Sequence, residues 1–468
     1  MALVVLKAMV KEEWRVHSKM FGGINFALFP VMLAAFSFLG SLMLPALQAI
    51  YSLGRMISVF HLIYLLFGVS VGSFGLFGRE IMNRRFGQAS MITYSSRTLP
   101  LSEKEIFANF FVKDIIFYFF LWVLPPILGL AIASPLLGIS SYHVGLLLLT
   151  ATLSFLLGLS VVFFLSTVYV HSRKALLAVL AGILGLAALL IRYSTSPLEL
   201  FTPLSIFYSP SPQKVLVTLA AIILLSAVSI NFLKVDYPDK RRRFNNSLSP
   251  LTKIMPFGQY SHLIAKDFLD MRRSEGGIAK LVFSLLIPLG LVWAILQTLT
   301  GFMPGINFLY IFAVFFGAIS STIYNWLTEF DLFTSYGFFP LKQSDLIKSK
   351  VRGFMVLDLL CIIVLWLAGA ILGYSSYLPL ATLVFLATSF YSLSVTIRVA
   401  GLQPNILLYN AKVFLSYSLL TCPILVTLIF LPLFSQYLLL LSALLFPLGH
   451  SFLQKSYQKW DSAETMSY

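Results

Sequence analysis

Few residues of this 468-residue chain are able to do chemistry, and they stand far apart. Asp114 and Asp358 fall inside long apolar stretches, and His61 and His450 lie within or beside others. An ionisable group at that depth has to be paired, hydrogen-bonded or functional, because a bare charge in hydrocarbon is costly. Asp358 is the acid placed to lie deep. It can pair with Arg352 or another cation at the inner end of its helix, or it can bind an ion. Asp114 adjoins Lys113. The histidines read as hydrogen-bonding residues between helices, with a proton relay as the other option. No Ser/His/Asp set, H-E-x-x-H pair or paired carboxylates occur at catalytic spacing, so an intramembrane enzyme has little support. No G-x-x-x-x-G-K-[S/T] phosphate loop is present to hold ATP. Cys361 and Cys422 each sit in an apolar run and outline neither a disulfide framework nor a metal cluster. Gly68, Gly72, Gly75 and Gly78, like Gly182 and Gly185, lie within apolar runs. They read as helix-packing positions rather than as a dinucleotide loop.

The elements that must position these residues follow from composition. The chain is 59% hydrophobic and 11% charged, with mean hydropathy +0.90, which excludes a soluble domain of this size. Apolar runs of about 20 residues recur along it, as helices spanning a bilayer require. The alternating ten-residue segments of a β-barrel do not appear. Twelve spans are expected: 23–45, 57–78, 110–137, 144–166, 174–192, 213–234, 279–300, 305–327, 350–374, 377–399, 412–433 and 436–454. Spans three and nine are candidates to begin earlier, as helices rising out of the preceding loop. This map puts 30 of the 33 lysines and arginines on one side and leaves Arg55, Arg192 and Lys214 on the other. An even number of spans, with both termini in the cytoplasm of a multi-pass plasma-membrane protein, satisfies that bias. The net charge of +15 is thereby a matter of orientation and anionic lipid, and nucleic acid is not an expected partner.

Residues 1–20 show no small-residue cleavage site and read as an amphipathic helix. Leu3, Leu6, Met9, Val10 and Trp14 face one way, so the helix is expected to lie on the bilayer before the first span. A second such stretch, 263–278, ends the long cytoplasmic segment whose basic part, KRRRFNNSLSP, reads as a linker or lipid-contact cluster. Lys11 and Glu12 match Lys266 and Asp267, and Gly22-Gly23-Ile24 match Gly276-Gly277-Ile278, with one residue of slip between. Each stretch leads into a span with an internal proline, Pro30 and Pro288. The organisation expected is therefore a first six-helix half over 1–234, a basic linker over 235–262 and a second half over 263–468. The fold class is an all-α polytopic membrane protein of about twelve transmembrane helices, in two parallel pseudo-symmetric halves. The outer loop 193–212, rich in proline, is expected to be irregular.

A short polar phrase also occurs twice, RTLPLSEKEI at 97–106 and FFPLKQSDLI at 338–347, each just before a span. Pro100-Leu101 matches Pro340-Leu341, and Glu105 matches Asp345. Proline turns the chain, and Ser102 with Glu105 has the spacing of a capping box. Gln343 and Ser344 are poorer caps. A turn alone would explain one copy, but two at the same topological place favour a docking surface. Around these phrases, MITYSSRTLPLSEKEIF and EFDLFTSYGFFPLKQSDLIKSK resemble the segment after the second helix in permease subunits of ABC-2-type exporters. The amphipathic stretches resemble the elbow helices of the same family. Met91 stands in the first half where Asp331 stands in the second.

The resemblance implies two fused six-helix permeases that bind no cofactor themselves. It implies ATP and magnesium held by separate ABC-type ATP-binding subunits, two copies, seated on coupling loops. Those loops would engage through Arg97, Leu99, Pro100, Leu101, Ser102 and Glu105, and through Asp331, Phe339, Pro340, Leu341, Lys342 and Asp345. Scarcity of deep ionisable groups also favours an external energy source over ion coupling. The expected function is a transport component, not an enzyme: an exporter permease for a lipidic, amphipathic or peptide substrate. An ion-coupled secondary transporter, a lipid scramblase, and a membrane scaffold or regulator are the alternatives.

Overall fold

A computed structural model describes residues 2–20, 23–48, 52–73, 102–172, 174–182, 185, 201–232, 246–273, 277–299, 307–329, 336, 341–371 and 373–462. Among them helices predominate and no strand occurs. Ten helices are long and apolar enough to cross a bilayer, which makes this a multi-pass helical membrane protein. Two compact units divide the chain, Met1–Arg241 and Arg242–Tyr468, with the boundary inside the expected linker. Each unit holds five of the ten helices. Of the two remaining expected spans, 174–192 is helical over 174–182 and otherwise falls largely outside the described residues. The other, 279–300, is a helix over Gly277–Leu299.

In the first unit the helices are α1 (Ala2–Met20), α2 (Ile24–Ser41), α3 (Leu44–Gln48), α4 (Leu53–Ser73), α5 (Glu103–Tyr118), α6 (Leu124–Ala133), α7 (Ser141–His171), α8 (Thr202–Tyr208) and α9 (Pro212–Asn231). Helices α5 and α6 form one continuous span through a wide turn at Phe119–Val123. Pro125 and Pro126 follow directly. Neither has an N–H for the ladder, and each ring crowds a carbonyl of the preceding turn, so the extra residue in that turn relieves a real obstruction. The loop 193–212 is not irregular throughout. Its later part is α8, started by Pro203 in its first turn, with Leu204 and Ile206 buried. Ile206 packs with Leu153 of α7 and Ile222 of α9.

Helices α4 and α7 cross at glycine. A Cβ on Gly68 would lie 2.1 Å from the Phe155 carbonyl oxygen, and one on Gly158 would lie 2.2 Å from that of Leu65. No side chain fits there, so both residues let the backbones touch and gain dispersion contact along the seam. Gly72 continues it against Leu159 and Val162. The packing reading therefore holds for Gly68 and Gly72. Gly75 and Gly78 lie outside the described residues, and Gly182 and Gly185 have nothing within 4 Å of a Cβ.

The second unit contains α10 (Leu248–Ile254), α11 (Ser261–Arg273), α12 (Gly277–Leu299), α13 (Phe308–Ser320), α14 (Ile323–Glu329), α15 (Gln343–Ile371), α16 (Leu378–Ala400), α17 (Ala411–Phe434) and α18 (Leu445–Asp461). Single-turn helices precede α11 at Gly258–Tyr260 and α16 at Ser375–Tyr377, and a tighter helix over Gln436–Leu444 leads into α18. Only Ser435 separates α17 from it, the tight connection expected between the last two spans. Helix α13 is largely apolar and α16 mixes apolar residues with buried serines and threonines; both are mostly buried, and they form the core with Leu365, Leu428 and Leu453. Helix α17 keeps most of its apolar surface outward, as a lipid-facing helix does.

The glycine seam supplies a direct test. Gly158→Ala should cost about 1–3 kcal/mol, the range for forcing atoms into a filled interior. Gly145→Ala, on the same helix but with open space at its Cβ, should be neutral or stabilise by about 0.5–1 kcal/mol. Thermal midpoints of the detergent-purified full chain would separate the two. Equal midpoints would mean that α4 and α7 do not cross at this seam.

Candidate functional site

Helix α1 turns part of its apolar surface toward the protein. Val5 and Met9 are buried against Ile106 of α5, while Leu3, Val4 and Trp14 are exposed. Trp14 meets Phe26, at the start of the first span, edge to face at 4.8 Å. Lys11 is exposed and Glu12 half-buried. The residue that fastens α1 is the next one, Glu13: Lys113 Nζ donates to its Oε2 at 2.8 Å. The same ammonium lies 3.1 Å from Asp114 Oδ1 and 4.1 Å from the centre of the Phe110 ring. Lys113 and Asp114 are both buried. Asp114 is thus paired, and its expected neighbour, Lys113, serves two carboxylates.

The second unit makes a similar connection between a surface helix and a spanning helix. Lys350 Nζ, on α15, donates to Asp267 Oδ1 of α11 at 2.6 Å and to the Leu327 carbonyl at 2.7 Å. Lys350 and Asp267 are 1% and 4% exposed, so water does little to screen them. Lys266 is half-exposed, 3.0 Å from Asp270, 3.6 Å from Asp267 and 5.5 Å from the Tyr336 ring. Both latches therefore join an amphipathic surface helix to the helix that follows the repeated phrase. The latch acids do not follow the pairing of Glu12 with Asp267 read from sequence. Carrying the offset of the Gly-Gly-Ile triplets back without slip aligns Glu13, not Glu12, with Asp267, and Trp14 with Phe268.

The two phrases start their helices differently. Ser102 Oγ accepts from the Glu105 N–H at 3.2 Å, and Glu105 Oε2 accepts from the Ser102 N–H at 2.9 Å, a complete capping box for α5. Neither Gln343 nor Ser344 caps α15. The Ser344 N–H donates instead to Asp461 Oδ1, at the end of α18, at 2.8 Å. Asp345 is held as well: Tyr260 Oη donates to its Oδ1 at 3.1 Å, and Lys348 lies 3.5 Å from that atom. Arg352 stacks over the Tyr260 ring at 4.1 Å and reaches the Phe257 carbonyl. Leu341 and Lys342 remain exposed. Arg97, Leu99, Pro100, Leu101, Asp331, Phe339 and Pro340 lie outside the described residues.

The deep polar residues divide. His61 Nδ1 donates to the Ile57 carbonyl at 2.8 Å, and Nε2 lies 2.8 Å from Thr150 Oγ1 of α7. That is the expected interhelix bond. Asp358 does not pair with Arg352. Its Oδ2 accepts from Ser389 Oγ of α16 at 2.8 Å.

Sequence reading missed Glu13, Lys350, Tyr260 and Asp461. Two of them carried a signal. A lysine several residues inside a spanning helix, like Lys113 or Lys350, demands an acid within reach, and the surface helices are where acids stand. Tyr260 and Asp461 carried none, because they meet α15 only through the fold.

Breaking the buried latch should be expensive. Lys350→Met leaves the buried Asp267 with only the half-exposed Lys266, 3.6 Å away, and should cost up to about 3–5 kcal/mol, while Lys266→Met should cost under about 1 kcal/mol. Adding Asp267→Leu to Lys350→Met should recover most of the loss. Unfolding midpoints of the four proteins give the double-mutant cycle, and a Lys350→Met loss no larger than that of Lys266→Met would remove the latch from the account.

No protein-family model, no curated protein and no solved structure matches this chain.

Proposed function

We propose that this chain is the membrane permease of an ABC-type exporter, driven by separate ATP-binding subunits that press on the starts of α5 and α15 from the cytoplasm. The observation that carries this reading is the pair of latches. An exposed first turn that must pass a push into the membrane needs rigid attachment to its surroundings. Glu13–Lys113 and Asp267–Lys350 fasten each surface helix to the helix behind each phrase. A displacement at either phrase then moves a spanning helix and a surface helix together. Lys104, Leu341 and Lys342 stay exposed at those first turns, as a contact surface requires.

The two units act as two pseudo-symmetric halves, each served by one ATP-binding subunit, with both termini in the cytoplasm of the plasma membrane. Their apolar helices suit a lipidic, amphipathic or peptide substrate better than a sugar or an ion.

Purifying the full chain together with an ATP-binding subunit encoded beside it tests this. A complex with two such subunits per chain and ATP turnover is expected. Lys104→Glu with Lys342→Glu should weaken the association at least tenfold while the chain stays folded. Transport by the chain alone in nucleotide-free vesicles, with no ATP-binding subunit ever retained, would overturn the proposal in favour of a secondary transporter or scramblase.

A further inference from the structure

Asp358 has no part in the latches or the phrases. It lies fifteen residues along α15 from Gln343, about 22 Å at ~1.5 Å per residue. Its side chain is buried at 5% exposure. Oδ2 accepts the Ser389 hydroxyl at 2.8 Å, and Ser320 Oγ of α13 donates to Ser389 Oγ at 2.9 Å. Oδ1 has no hydrogen-bond partner among the described residues.

Among the described residues no cation on the packed elements answers this carboxyl. Lys350 is taken by Asp267 of α11, Lys348 by Asp345, and Arg352 by the Tyr260 ring and the Phe257 carbonyl. Tyr324 of α14 donates to the Gly401 carbonyl, and Tyr391 of α16 donates to that of Leu420. On α13, Tyr310 is directed to Gln436, and on α18, Tyr457 lies under Lys348. Cys361, one turn along α15, is the buried titratable neighbour.

Space decides which ligand fits. A Cβ on Gly317 would lie 2.0 Å from Thr388 Oγ1 and 2.6 Å from the Phe385 carbonyl oxygen, so α13 and α16 touch within one turn of Ser320 and Ser389. A metal cation needs a shell of oxygens and the volume to hold it. A hydrogen on Oδ1 needs neither, and a neutral carboxyl is far cheaper to bury than a lone carboxylate.

We propose that Asp358, backed by Ser389 and Ser320, is a proton-binding site within the second unit. The hydrogen resides on Oδ1, and Oδ2 keeps the Ser389 bond as a carbonyl oxygen. Loading and unloading this site supplies a second input that does not rest on the ATP-driven reading.

Infrared difference spectra of the full chain in lipid nanodiscs test it, wild type against Asp358→Asn. A protonated carboxyl gives a carboxylic C=O band at neutral pH that is lost in Asp358→Asn and moves to higher frequency in Ser389→Ala. A carboxylate band in that difference spectrum overturns the proposal, and a carboxylate band that shifts with added sodium chloride reassigns the site to a metal cation and overturns it equally. If Asp358→Asn does not accumulate as folded protein, Ser389→Ala decides alone: a moving C=O band supports the site and a moving carboxylate band ends it. The readout is independent of any ATP-binding subunit, so the two proposals fail separately.

Discussion

A lysine ammonium buried beside a carboxylate, out of reach of water, is the constraint on which the inner end of each unit depends. Burial removes solvent screening, so the attraction in Asp267–Lys350 is strong, but so is the penalty for leaving either charge alone. The geometry answers that penalty with a second acceptor, the Leu327 carbonyl, in the second unit and with a second carboxylate, Asp114, in the first. Such a contact fixes position better than apolar packing, because sliding by one turn would strand two charges. The surface helices are therefore docked elements of the protein with a defined register. Val5 and Met9 complete the seat of α1 by packing against Ile106.

The spanning helices were legible from apolar run length alone, which reports bilayer thickness and little else. The capping box at Ser102 was legible too, because its two partners are three residues apart. Contacts across tens of residues were not: Tyr260 to Asp345 spans 85 positions, and Ser344 to Asp461 spans 117. The amphipathic character of residues 1–20 was legible, but the protein contact that takes up part of its apolar surface was not. An apolar stripe reports that something apolar must cover it, without distinguishing lipid from Ile106. Asp358 shows the same limit. Its depth followed from its place in an apolar run, whereas its hydroxyl partners on two other helices did not.

The likeness between the two lysine latches is one of interaction rather than of residue type. Glu13 and Asp267 differ in residue type, and their lysines fall thirteen residues beyond Pro100 and ten beyond Pro340. That difference of about one helical turn leaves both lysines on the same helix face.

The unlike caps of α5 and α15 carry a consequence in time. Ser102 and Glu105 leave the ribosome together, so α5 can acquire its cap while the chain behind it is still being made. The first turn of α15 has to wait for Asp461, 117 residues later. Until then the Ser344 N–H stays open to water, while the next two N–H groups bond to the Lys342 carbonyl. Synthesis itself thus sets an order in which the start of α5 is completed before that of α15.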